Sequence, residues 1–266
     1  MNNPEKINFI SNGIRLNAYF CHGHGKGKKP TLIWLHGIPG GPENGKTELT
    51  KELCKSGINV LRFNYQGIWG IKGEFTLMNS LNNLKDAISF LTRKDNTSKY
   101  SIDVSKIVLA GYSFGTAVAL AGALYDERIE NIICIALCDY SYFGRQYMDP
   151  YSKLREFLEE AIEGVFSDRT FLKQDPYLFL NNLKDSIVKY DIVRHAEKLL
   201  SKKILMISGI DDTVCPVEDH LFPIYRRLRE LEHKNLKMEI NKCGHEPPPD
   251  LHGIISRWIN EIVRKT

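Results

Sequence analysis

The chain reads as an α/β protein: a mostly parallel, doubly wound sheet of about eight strands with a helical cap. Three observations predict this. Short apolar runs alternate with helical stretches along most of the 266 residues, the pattern of a sheet covered on both faces. The run Gly111-Tyr112-Ser113-Phe114-Gly115 joins an apolar strand pattern to a small, helix-favouring one. The stretch 140–200 carries helical but no strand patterning and is far longer than an ordinary strand-to-helix connection.

Taken in order, Ile7–Ile10 and Ile14–Phe20 read as two strands around a Ser11-Asn12-Gly13 turn. A polar, Gly-rich loop follows, Cys21 to Pro30. Thr31–Leu35 is the next strand, then a helix from about Lys46 to Lys55 stopped by Gly57. Asn59–Asn64 is a strand, and Leu84, Ile88 and Leu91 give Leu81–Arg93 a helical period. Ile107–Ala110 is a strand that feeds the helix after Ser113, and Ile132–Leu137 is another. Residues 154–162, 177–183 and 191–200 read as helices of an inserted cap over the carboxyl edge of the sheet; a long crossover on its side is the alternative. Lys203–Ile207 and Leu236–Ile240 complete the strands, with a helix between them from near Val217. The last helix carries Leu251, Ile254, Ile255, Trp258, Ile259 and Ile262 as one apolar stripe. The whole is expected to be one domain over 1–266, with the cap at 140–200.

Composition excludes several classes. A hydrophobic fraction of 42% is enough for one large core, and a net charge of +4 spread along the chain gives no nucleic-acid footprint. No apolar run is long enough to span a bilayer. The start Met1 to Lys6 has no charged-then-apolar leader pattern, and Arg264-Lys265-Thr266 reads as a solvated helix end. Six cysteines, none in a C-x-x-C pair, fit a reducing cytoplasm. His22 and His24 lack spaced partner ligands, so neither metal nor cofactor is expected.

Chemistry concentrates just after strands, where open α/β sheets bind ligands. Ser113 sits in G-x-S-x-G, a turn that pushes the hydroxyl outward and needs glycines on both flanks. His36-Gly37-Ile38-Pro39-Gly40-Gly41 follows one strand, Asp211-Asp212 another, and Gly244-His245 a third. A serine hydroxyl needs a base in hydrogen-bond reach, and His245 is the candidate. The imidazolium formed needs a carboxylate behind it, for which Asp212 is the choice, with Asp211 and Asp139 as alternatives. The backbone N–H groups of Ile38 and Phe114 are the expected oxyanion donors, Phe114 with the field of a helix start. His36 is expected to hold the oxyanion loop. His195, His220, His233 and His252 fall in helical or loop surface stretches.

The order Ser113, Asp212, His245, with Leu61–Gly67 and Gly73-Glu74-Phe75, resembles the α/β-hydrolase superfamily and its small cytosolic esterase-like branch. The resemblance covers roughly residues 30–125 and 202–260. It implies a serine hydrolase of carboxylic esters, with acyl-thioester or small-peptide hydrolysis, or a non-enzymatic binder on the same scaffold, as alternatives. The implied partner is a small-molecule ester or thioester, with no nucleic acid and no membrane; a second copy of the chain is a candidate partner. Where the family loop often reads Gly-x-Gly-x-Ser, this chain has Trp69 and Ile71 at the second glycine and the serine. That departure predicts a narrower, more apolar entrance lined by Trp69. Tyr142, Phe143 and Tyr147, with Tyr140 and Tyr151, fit a pocket for an acyl or aryl group and equally a core between cap and sheet.

Overall fold

Eight strands form one sheet in the computed structural model, which describes residues 3–264. The expectations for Met1, Asn2, Lys265 and Thr266 lie outside those residues. Strands β1 (Glu5–Ser11) and β2 (Ile14–Cys21) make an antiparallel hairpin. Its two turn residues, Asn12 and Gly13, both have positive φ, +49° and +73°, the geometry that matches strand twist in a two-residue turn. Then follow β3 (Lys29–Leu35), β4 (Asn59–Phe63), β5 (Ile102–Tyr112), β6 (Asn131–Ile135), β7 (Lys203–Gly209) and β8 (Leu236–Asn241). The spatial order is β1-β2-β4-β3-β5-β6-β7-β8, parallel from β4 to β8.

Burial follows position in the sheet. Strand β1 alternates buried and exposed residues, whereas β4 and β6 are buried throughout, because helices cover both faces of the parallel part. Helices α1 (Glu48–Lys55) and α9 (Leu251–Arg264) pack one face through Leu53, Ile255 and Ile259 against Leu32, Val60 and Ile133. Helices α2 (Leu77–Thr92) and α4 (Phe114–Ala123) pack the other through Leu84, Ile88 and Val118. Thr47 and Thr76 cap α1 and α2 by accepting from Thr50 N–H and Asn79 N–H. A short α3 (Lys94–Lys99) leads into β5.

Between β6 and β7 lie α5 (Tyr140–Met148), α6 (Lys153–Phe166) and α7 (Pro176–Lys189). The helix expected over 191–200 is instead a turn and a short 3₁₀ helix, Ala196–Leu199. There the Asp191 carboxylate accepts from Arg194 N–H, a local bond that competes with helix continuation. Helix α8 (Leu221–Glu230) begins later than Val217, after a turn through Pro216 and His220. Strand β5 starts at Ile102, well before its apolar run, since Ile102 pairs with Lys29 across a register shift.

Two glycines differ in whether a close approach requires them. A Cβ on Gly115 would lie 2.0 Å from the Leu35 carbonyl oxygen, whereas one on Gly164, in α6, would meet nothing within 4 Å. Gly115→Ala is therefore expected to cost about 3 kcal/mol or more, and Gly164→Ala to gain about 0.5–1 kcal/mol. Urea unfolding midpoints of the two variants test the pair.

Candidate active site

The turn between β5 and α4 exposes Ser113 at φ +52°, ψ −119°, a conformation that costs on the order of 1–3 kcal/mol in a non-glycine residue. Its neighbours hold it there. Ser113 N–H donates to Ile135 O at 2.9 Å, and Ser113 O accepts from Thr116 N–H at 2.8 Å and Thr116 Oγ1 at 2.7 Å. A side chain on Gly111 would strike Gly115 O at 2.3 Å. Both flanking glycines are thus required by the turn itself.

His245 reaches this serine from the loop after β8. Its Nε2 lies 3.0 Å from Ser113 Oγ and its Nδ1 lies 2.8 Å from Asp212 Oδ2. An ionised carboxylate only accepts, so Nδ1 carries the proton and Nε2 is free to accept from the hydroxyl. Asp212 is 4% exposed. Its other oxygen accepts from Val214 N–H at 2.9 Å and Cys215 N–H at 2.8 Å. Burial alone would raise this carboxyl, but the His245 hydrogen bond and the two amides outweigh it and hold it below its ordinary value.

The two other acids stand elsewhere. Asp211 is exposed, and its N–H donates to Cys243 O. Asp139 caps α5, where Oδ1 accepts from Ser141 N–H, Ser141 Oγ and Tyr142 N–H.

Two residues with no role in the sequence reading make the approach of His245 possible. A Cβ on Gly209, at the end of β7, would lie 2.1 Å from Cys243 O and 2.2 Å from Gly244 O. Tyr112 OH donates to His245 O at 3.2 Å, with its ring 5.5 Å from the imidazole. The placement of Gly209 at a strand end, just before Asp211-Asp212, was the available signal for the first. Nothing local marked Tyr112.

The loop after β3 lies over the serine. A Cβ on Gly37 would come within 3.0 Å of Ser113 Cβ. Ile38 lines the same cavity as Ser113 and Phe114, and Phe114 opens α4. A buried network clamps this loop. Arg62 donates to both oxygens of Glu43, at 2.6 Å and 2.8 Å, the paired geometry that makes guanidinium–carboxylate contacts strong. Glu43 N–H donates to Asn64 Oδ1, and Asn64 Nδ2 donates to Gly41 O. Buried His36 is bonded through Nδ1 to Gly37 O at 2.7 Å, and Tyr65 OH donates to His36 O.

Trp69 stands at φ +48°, which explains the glycine usual there in the resemblance. Its indole N–H donates to Pro39 O at 3.2 Å, its N–H donates to Phe171 O, and its ring sits 5.4 Å from that of Phe171. It therefore ties the loop after β3 to the chain between α6 and α7, and it does not line the cavity at Ser113.

That cavity measures about 150 Å³ and is walled by Tyr140, Phe143, Leu158, Ile162, Phe179 and Leu183 among others. Of the residues expected at the pocket, Tyr140 and Phe143 line it, and Tyr151 is exposed. Tyr142 packs its ring 4.9 Å from His220, and Tyr147 lies buried under Arg155; neither lines the cavity.

Of the solvent-facing and packing roles open to the remaining histidines, His220 and His233 take packing. His233 is buried and bonded to Leu199 O. His220 is fully buried, and its Nδ1 accepts from Asp139 N–H at 3.0 Å. His220, Cys138 and Cys215 place their ligand atoms within 4.8 Å of one another. Metal coordination through Nε2 would put the proton on Nδ1, directly against that amide donor, so this trio does not suit a metal.

The fold and this site define an α/β hydrolase. The chain belongs to that superfamily and, within it, to the family described as BAAT / Acyl-CoA thioester hydrolase C terminal, whose model matches residues 80–252. A second family model, BD-FAE, matches residues 18–141. Among solved structures, GrgF, an α/β hydrolase from Penicillium sp. sh18, is 17% identical, with 99% of each chain covered and a TM-score of 0.69. The Pyrococcus furiosus esterase Pf2001 is 18% identical over 97% of this chain and 90% of its own, with a TM-score of 0.63. Est1E of Butyrivibrio proteoclasticus, solved with ferulic acid, is 18% identical over 97% and 98%, with a TM-score of 0.65. A curated relative, the quorum-quenching protein AidA of Acinetobacter baumannii (strain MDR-ZJ06), is 24% identical over 156 residues. That match spans 57% of this chain and half the length of the relative. No helix among the described residues is long and apolar enough to cross a membrane.

Burial pushes both His36 and His220 down to about 4 from 6.5; for His36 the bond to Gly37 O offsets part of the effect, and for His220 the Asp212 charge does. Each imidazole takes up its proton more readily when the chain unfolds. Stability is therefore expected to fall as the pH drops from about 6.5 to about 4, by up to about 3 kcal/mol for each group. His220→Asn retains an acceptor for the Asp139 N–H and removes one titration. Urea unfolding as a function of pH should show a smaller loss for that variant than for the wild type.

Proposed function

We propose that this protein is a serine hydrolase of carboxylic esters, with Ser113 as nucleophile, His245 as general base and Asp212 as the carboxylate behind it. The observation that carries the reading is the unbroken hydrogen-bonded line from Asp212 Oδ2 through His245 to Ser113 Oγ, ending at an apolar cavity. In this mechanism Nε2 takes the Ser113 proton as Oγ attacks the acyl carbon. Asp212 accepts from Nδ1–H throughout and stabilises the imidazolium. The oxyanion accepts from the Ile38 and Phe114 N–H groups, fixed dipoles that need no rearrangement as charge develops. His245 then gives its proton to the leaving alcohol, and water repeats the sequence on the acyl-enzyme.

A second reading is acyl-thioester hydrolysis, favoured by the description of the family matching residues 80–252. The relay is indifferent to whether oxygen or sulfur leaves, so the two readings share every residue. The acyl group fits the apolar space between α5, α6, α7 and the sheet, and those helices are the proposed cap. Its walls carry aromatic and aliphatic groups, which favours a short to medium acyl or an aryl group. A small-molecule substrate, no nucleic acid or membrane partner, a cytoplasmic setting and a homodimer complete the proposal.

Ser113→Ala is expected to lower turnover of p-nitrophenyl esters by roughly 10⁴-fold or more with unchanged folding. A serine-directed fluorophosphonate should label the wild type at Ser113. Full activity in the variant ends the reading, and folded protein that is neither labelled nor active is a binding protein on this scaffold. Across p-nitrophenyl esters and acyl-CoA of graded length, the optimum should lie at short to medium chains. Ile162→Ala should move it to longer ones, and a wild-type optimum at long chains contradicts the proposed pocket.

A further inference from the structure

A second cleft, of about 690 Å³, shares no residue with the cavity at Ser113 and is lined by Cys21, His22, His24, Lys46, Thr47 and Cys54 among others. Cys21 ends β2 and is half-buried; Cys54 lies on α1 and is buried. The backbone holds the two close. His24 N–H, three residues past Cys21, donates to Cys54 O at 2.8 Å. Gly23 is pressed so tightly on Gly57 that a Cβ would lie 2.6 Å from its carbonyl carbon. Gly23 N–H also donates to Asn59 Oδ1 at 2.9 Å, and Cys21 pairs in register with Val60. Both side chains line this cleft, and Cys21 packs against the apolar cluster that contains Cys54.

We propose that Cys21 and Cys54 form a peroxide-oxidisable thiol pair, in which Cys21 is the sulfur attacked and Cys54 the sulfur that closes the disulfide. The inference is independent of the hydrolytic reading. The Cys21 thiolate attacks one oxygen of a hydroperoxide, the O–O bond breaks, and the other oxygen leaves with a proton as alcohol or water. Cys54 then attacks the sulfenic sulfur of Cys21. The S–S bond forms, the S–O bond breaks, and hydroxide leaves with the Cys54 proton as water. Two thiols and one peroxide become one disulfide, one alcohol or water and one water.

The division of roles follows from the surroundings. Cys21 is only half-buried in the cleft, whereas Cys54 is 4% exposed; beside it the Cys21 pKa is lowered, while Cys54 itself is pushed up by that neighbour and by burial. An accessible sulfur with a lowered pKa beside a resolving partner is the arrangement that oxidises readily and reversibly. The chain contains its own comparison. The Cys138 and Cys215 sulfurs lie within 4.8 Å of each other, but these residues are 5% and 1% exposed, and the Cys138 thiol and burial raise Cys215. That pair should remain reduced while Cys21 and Cys54 oxidise.

The full-length protein is treated with graded hydrogen peroxide, free thiols are alkylated, and peptides are mapped without reduction. The expected result is a loss of two hydrogens, carried by a disulfide joining the Cys21 and Cys54 peptides and reversed by dithiothreitol. Cys54→Ser should leave Cys21 as a sulfenic acid that a cyclic-diketone probe captures, and Cys21→Ser should abolish the crosslink. A Cys138–Cys215 crosslink at lower peroxide, absence of the Cys21–Cys54 crosslink in folded wild type, or no captured sulfenic acid in Cys54→Ser overturns the proposal.

Discussion

Close backbone approach at the carboxyl ends of the central strands is the constraint on which the site depends. Gly115 rests against the Leu35 carbonyl, Gly111 against Gly115, and Gly209 against the carbonyls of Cys243 and Gly244. A methyl group at any of these positions occupies space already filled by backbone. With the side chains absent, the ends of β3, β5, β7 and β8 converge so that groups on separate loops fall within hydrogen-bond distance. The strained Ser113 backbone persists because the surrounding bonds to Ile135 and Thr116 over-determine it.

Polar order around that point is built from buried groups that have partners. The Arg62–Glu43 pair is almost completely out of water, with side chains 7% and 10% exposed. Its value is not net stability, which buried ion pairs seldom provide. It connects β4 to the loop over Ser113 through Asn64, so the loop carrying Ile38 is held by the sheet. His36 completes this clamp as a neutral imidazole, because burial disfavours its charged form.

The cavity is apolar where the relay is polar. Phe114 meets Tyr140 and Phe179 at ring separations of 5.5 Å and 6.0 Å, so one aromatic cluster joins the start of α4 to α5 and α7. Water is poorly accommodated among such walls, and the fixed dipoles at the Ser113 end act more strongly in that medium. Trp69, bonded to Pro39 and packed on Phe171, links the loop over the serine to the segment before α7.

Local chemistry in the sequence determined the sheet's strands, the positive-φ turn at Asn12-Gly13, the glycine-flanked Ser113 and the order in which serine, acid and histidine follow their strands. Each rests on short-range physics: side-chain period, turn sterics, the conformational freedom of glycine. The sequence left Asp212, Asp211 and Asp139 as rivals, because adjacent carboxylates look alike until their surroundings exist. Only the tertiary structure separated them, by burying Asp212 beside His245, leaving Asp211 in solvent and committing Asp139 to the start of α5. The same holds for the aromatic residues after β6. Spacing could not tell a ring facing a cavity from one packed elsewhere, and Tyr140 and Phe143 parted from Tyr142 and Tyr147 only in the folded chain. Contacts such as Tyr112 with His245 join residues far apart in the chain, and no local pattern encodes them.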